Sequence, residues 1–145
     1  MQNQTNPAVK IQKHFAEPPR EVWRAWTDAE IVKLWFGSDP NGEVLRAFLD
    51  VRPGGSFEIT FANADKTTFT CFGKYQEITL YQKLVFTWSW KNNPNVMEFV
   101  TVVLQEEQSG TLMDFEIANI DASTTHQYEA GWQSTFEKLE RAMKR

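Results

Sequence analysis

The sequence is short of the groups that most metal and redox chemistry uses, with a single cysteine, Cys71, and two histidines, His14 and His126. One thiol cannot form an internal disulfide, and these three side chains cannot complete a cysteine-rich structural zinc site. No metal or cofactor is expected, and a reducing, cytoplasmic location fits best. Positive charge is scarce too: 15 Lys and Arg stand against 19 Asp and Glu, for a net charge of −4. Nucleic acid needs a positive field to neutralise its phosphates, so it is not an expected partner. No apolar run approaches the ~20 residues of a membrane span. Met1 to Asn6 lack the charged-then-apolar profile of a secretion signal. A HExxH pattern, a glycine-rich phosphate loop and a nucleophile elbow are all missing.

What is plentiful is apolar and aromatic surface: 41% of the 145 residues are hydrophobic and 14% aromatic. That length suits one domain, expected over residues 8–145 behind a disordered tail of residues 1–7. Val9, Ile11 and Phe15 alternate with polar residues as in a half-buried strand. Pro18 and Pro19 stop it and suit the first turn of a helix, whose stripe is Val22, Trp23 and Trp26. Thr27 with Glu30 predicts a capping box that starts a second short helix, with Ile31, Leu34 and Trp35 on its buried face.

From Glu43 to Asn119 the period is two. Six strands are predicted, carrying Leu45, Ala47, Leu49 and Val51; Phe57, Ile59 and Phe61; Phe69, Cys71 and Tyr75; Leu84, Phe86, Trp88 and Trp90; Val96, Val100, Val102 and Leu104; and Met113, Phe115 and Ile117. Turns are expected at Pro53-Gly54-Gly55, Asn63-Ala64-Asp65, Asn92-Asn93-Pro94 and Gln108-Ser109-Gly110. Connections this short require antiparallel pairing. Tyr128, Trp132, Phe136, Leu139 and Met143 then recur at helical spacing, predicting one long amphipathic helix from Thr125 to Arg145 behind a Thr124/Gln127 capping box. A seven-stranded antiparallel sheet with one apolar face needs a cover, and only that helix is long enough. The expected class is α+β, with the sheet curved around the helix and the two short helices forming a lid over open space at one end.

Pro18-Pro19-Arg20-Glu21-Val22-Trp23, Leu34-Trp35-Phe36-Gly37, Val51-Arg52-Pro53-Gly54-Gly55, Phe86-Thr87-Trp88 and Gly131-Trp132 occur in the order and approximate spacing of a known family. In these motifs the chain resembles the homologues of the activator of the heat-shock protein 90 ATPase, within the START-like, or SRPBCC, superfamily. That resemblance covers nearly the whole sequence. It implies the helix-grip fold and a deep apolar cavity between sheet and long helix that binds hydrophobic small molecules, with catalysis in only some members. The eukaryotic activator has a separate N-terminal domain that engages the chaperone, and this chain has no residues left to build one. A role in stress response or chaperone contact therefore rests on the family name alone.

The residues expected at that cavity are Trp35, Phe57, Phe61, Phe69, Tyr75, Phe86, Trp88, Trp90, Trp132 and Phe136, with Glu98 as the candidate polar group. Against this stands a solid core, since rings that bury about 150–250 Å² each can fill an interior completely. Glu98 shares parity with Val100 and Val102, which would point its carboxylate inward; a strand that begins after Glu98, leaving it solvated, is the favoured reading. Cys71 reads as core, the histidines as surface and the Pro-Gly-Gly turn as structural. Binding of a hydrophobic small molecule without catalysis is the leading expectation. A cyclase-like or hydrolytic enzyme using Glu98, or a chaperone-cofactor module, are the alternatives. An exposed edge strand would support a homodimer, though no residue demonstrates one.

Overall fold

The computed structural model describes residues 7–144, so the tail expected over residues 1–7 lies, except for Pro7, outside the described residues. The element order is strand β1 (Ala8–Phe15), helices α1 (Pro19–Thr27) and α2 (Ala29–Trp35), and strands β2 (Glu43–Leu49), β3 (Ser56–Ala62), β4 (Thr68–Thr79), β5 (Lys83–Trp90), β6 (Asn93–Glu107) and β7 (Gly110–Ala118). A 3₁₀ turn, Ala122–Thr124, then leads into α3 (Thr125–Met143). All pairs are antiparallel and form one sheet in the order β1-β7-β6-β5-β4-β3-β2. This is the helix-grip arrangement.

The core lies between the concave face of the sheet and α3, which buries Trp132, Thr135, Phe136 and Leu139. α1 and α2 close one side, held together where the Trp35 indole N–H donates to Ala25 O at 2.9 Å. Thr111 Oγ1 donates to Glu17 O at 2.7 Å and pins the β1–α1 link to β7. Trp26 reaches to the centre of the molecule and packs on Trp35, Phe86, Phe115 and Phe136 with ring centroids 5.0–6.3 Å apart. Such aromatic contacts each add roughly 0.5–1.5 kcal/mol beyond the area they bury.

Several local details depart from the sequence pattern. α2 is capped by Asp28, whose carboxylate accepts from Glu30 N at 3.0 Å, while Thr27 Oγ1 donates back to Trp23 O. Aspartate is the better acceptor at that position, and the threonine lies inside the last turn of α1. Thr124 does not cap α3 by its side chain; its hydroxyl donates to Asp121 O, and Asp121 caps the preceding 3₁₀ turn. In β2 Ala47 and Leu49 pack on the core as expected, but the register shifts between Val44 and Arg46, so Leu45 is 46% exposed and Val44 takes the inward place. One extra residue reverses every later side chain of a strand. Residues 91–92 make the β5–β6 turn, and Pro94 lies inside β6.

β4 and β5 approach each other closely at Gly73. A Cβ at Gly73 would lie 1.9 Å from Thr87 O and 2.8 Å from the Phe57 ring, and Lys74 N donates to the Thr87 hydroxyl. Only glycine allows two backbones to approach so closely. Gly73→Ala is expected to destabilise the fold by about 2 kcal/mol or more, because the clash is with backbone. Urea denaturation would measure it, and a loss below about 0.5 kcal/mol would contradict this account of the close approach.

Candidate functional site

Trp26 and its neighbours fill the space beneath α1 and α2 almost completely. The void left there is ~20 Å³, lined by Trp26, Trp35, Phe57, Tyr75, Phe86 and Trp88 among others. Toward the N-terminal end of α3 the sheet and helix diverge instead and leave a cleft of ~480 Å³. One wall is a contiguous patch of six rings, with neighbouring centroids at 5.5 Å (Phe36–Phe61), 5.5 Å (Phe61–Phe69), 6.2 Å (Phe69–Trp90), 6.1 Å (Phe61–Trp90), 5.4 Å (Trp90–Trp88), 5.8 Å (Phe36–Trp88), 5.4 Å (Trp88–Trp132) and 6.2 Å (Trp132–Phe36). β3, β4 and β5 supply Phe61, Phe69, Trp88 and Trp90 from alternate positions on one face, and α3 supplies Trp132. Trp88 Nε1 is buried without a hydrogen-bond partner.

The polar end of this cleft is built around Tyr128, one turn before Trp132 on α3. The Trp90 indole N–H donates to the Tyr128 oxygen at 3.1 Å. The Tyr128 hydroxyl in turn donates to both carboxylate oxygens of Glu98, at 3.0 and 2.9 Å. Glu98 is 5% exposed, within β6 and opposite Trp88. The strand does not begin after Glu98, so the residue takes the inward parity and is not solvated. Burial raises its pKa above the ordinary glutamate value, and the Tyr128 hydrogen bond opposes that rise. The Tyr128 phenol is likewise pushed up, chiefly by burial.

The mouth is closed on one side by residues 36–42. Ser134 Oγ donates to Ser38 O at 2.7 Å and Lys138 Nζ to Asp39 O at 2.9 Å, which ties this loop to α3. The Asp39 carboxylate accepts from Ala64 N and Asn41 N, both at 2.9 Å, which ties it to the β3–β4 turn. These backbone donors hold the exposed Asp39 carboxyl below the ordinary range.

Of the residues expected at the cavity, Phe61, Phe69, Trp88, Trp90 and Trp132 line the cleft together. Trp35, Phe57, Tyr75 and Phe86 surround the small void, which Trp88 also borders. Phe136 packs in the core between Trp26, Phe115 and Trp132. Glu98 stands behind Tyr128 and is not part of the lining. Phe36 and Tyr128 were not among the expected cavity residues; Tyr128 carried a signal, since it precedes Trp132 and Phe136 at intervals of four on one helical face. Cys71 is fully buried with a raised pKa, and no group of residues suited to a metal ion occurs among the described residues. No described helix is long and apolar enough to cross a membrane.

The family model described as activator of Hsp90 ATPase homolog 1-like protein matches residues 16–144. The chain belongs to that family. It is thereby an AHSA1-like protein of the START/SRPBCC superfamily. Among solved structures it is similar to a protein from Nitrosomonas europaea at 27% identity and TM-score 0.81, with 94% of each chain covered. It is also similar to one from Chromobacterium violaceum at 17% identity and TM-score 0.86, covering 95% of this chain and 97% of that one. An AHSA1-like protein from Aeromonas hydrophila matches at 21% identity and TM-score 0.80, covering 95% of this chain and 92% of that one. The comparison with curated proteins finds no match. At the lower identities these likenesses concern the fold alone, so what distinguishes this AHSA1-like chain is read from its own cleft.

Two outcomes follow from the geometry. In the pH range between the ordinary glutamate pKa and the raised pKa of Glu98, the folded chain holds a proton that the unfolded chain has released. Glu98 thus lowers stability progressively as pH rises through that range, and the full penalty applies above it. Glu98→Gln is expected to show little gain in melting temperature at pH 4 and its largest gain at neutral pH and above; a pH-independent difference would refute the buried-charge assignment. Gly131 lies in the middle of α3 at the cleft, and a Cβ there would make an ordinary 3.5 Å contact with Ser38 Cβ. Gly131→Ala is therefore expected to stabilise by about 0.5–1 kcal/mol through helix propensity, measurable by urea denaturation, and a loss of stability would show that the loop leaves no room.

Proposed function

We propose that this protein binds an apolar, ring-containing small molecule in the cleft between β3–β5 and α3. The observation that carries the reading is the contiguous wall of six contacting rings that lines ~480 Å³ of open space. That volume is in the ordinary range for ligand sites, about 300–1,000 Å³, and the lining has the usual composition of many apolar groups with a few polar ones. The membership of a family of ligand-binding or interaction modules supports the same reading. Under it, Phe61, Phe69, Trp88, Trp90 and Trp132 contact the ligand, while Trp35, Phe57, Tyr75, Phe86 and Phe136 hold the wall behind them.

The Glu98–Tyr128 pair gives one specific reason to keep a second reading, an enzyme that uses the buried carboxylate as acid or base. In that case any proton would have to pass through the Tyr128 hydroxyl, because Glu98 does not border the open volume.

Native mass spectrometry of freshly purified protein, followed by a thermal-shift screen of apolar compounds, tests binding. A co-purifying small molecule, or a ligand that raises the melting temperature and quenches tryptophan fluorescence, is expected. Occupancy should also be lost in Trp132→Ala, whose ring packs on Phe36 and Trp88 in that wall. No shift across a varied library, with nothing bound as isolated, would overturn the reading.

A further inference from the structure

The charge at the cleft is one-sided. None of its fourteen lining residues is Lys, Arg, His, Asp or Glu. The nearest fixed charge in the hydrogen-bond network is the Glu98 carboxylate, one hydroxyl behind the wall, with both of its oxygens committed to Tyr128. The ammonium of Lys138 donates to Asp39 O, and neither residue lines the cleft. The Tyr128 oxygen already takes the Trp90 N–H and gives its own proton to Glu98, so toward the open side it has only lone-pair density to offer. Neutral donors such as Trp88 Nε1 and the Asn63, Asn92 and Gln127 amides can serve a ligand acceptor, but they do not select the sign of its charge.

Resting on the reading of the cleft as a ligand site, we propose that its ligand is an aromatic or polycyclic amine, bound as the ammonium ion against Tyr128. Aromatic faces attract cations through their quadrupoles, tryptophan most strongly, and here Trp88, Trp90 and Trp132 are joined by a carboxylate shielded from water. The same surroundings reject a carboxylate ligand. It would lose its hydration with no cation to meet it, and would sit near a charge of its own sign. Fatty acids and aromatic acids are thus excluded as preferred ligands, although their apolar parts would fit.

The test is a matched series with one ring system and three head groups: naphthylmethylamine, naphthalenemethanol and naphthoate, titrated at neutral pH against tryptophan fluorescence and confirmed by calorimetry. The amine is expected to bind about tenfold tighter than the alcohol, the scale of a desolvated cation–π and charge contact, with naphthoate weakest. In Glu98→Gln the ratio of amine to alcohol affinity is expected to fall several-fold, the ring faces keeping the remainder of the preference. Naphthoate binding as tightly as the amine, or an unchanged ratio in Glu98→Gln, would overturn the amine assignment and leave the cleft intact as a site. Failure of all three probes to bind would count against the cleft itself. The order of affinities in the wild-type chain is decisive even if the variant does not fold.

Discussion

The interior of this fold is partitioned by one side chain. A curved sheet that grips a straight helix touches it closely along only part of its length, and what fills the remainder decides whether the domain has a solid centre or a site. Trp26, delivered from α1, occupies the half beneath the short helices and packs against Trp35, Phe86, Phe115 and Phe136. Beyond it six rings pack side by side as one wall, and the open cleft lies against them. The two halves share Trp88, which borders both. The aromatic content of the chain thus serves two purposes, and position along the sheet rather than residue type separates them.

Much of the fold was legible because it rests on periodicity. The alternation in β3, β5 and β7 and the four-and-three spacing of α3 are one-dimensional signals of which face is buried, and the short turns between strands leave only antiparallel pairing. The misreadings have local causes. The bulge at Leu45 inserts a residue that no spacing rule announces, and Asp28 displaces Thr27 as a cap because a carboxylate one residue later reaches the same amide.

The cleft was less legible for a different reason. Whether an inward ring lines a void or fills one depends on how far apart sheet and helix stand at that level, which strand and helix periodicity do not encode. Glu98 shows the same limit. Its parity pointed inward, but only the arrival of Tyr128 from a helix thirty residues away supplies the partner that makes burial tolerable. Strand parity can propose an interior carboxylate; it cannot show what meets it.

The loop that carries Ser38 and Asp39 is stitched on one flank to α3 and on the other to the β3–β4 turn. Its span across the mouth is consequently set during folding, when those three distant stretches of chain come together. A guest taken up there, as proposed, would not have to immobilise a floppy rim, so the entropy usually lost in clamping down would be absent from its association. Under that proposal the aperture would sort by shape and polarity at the threshold, more like a rigid sieve than a closing hand.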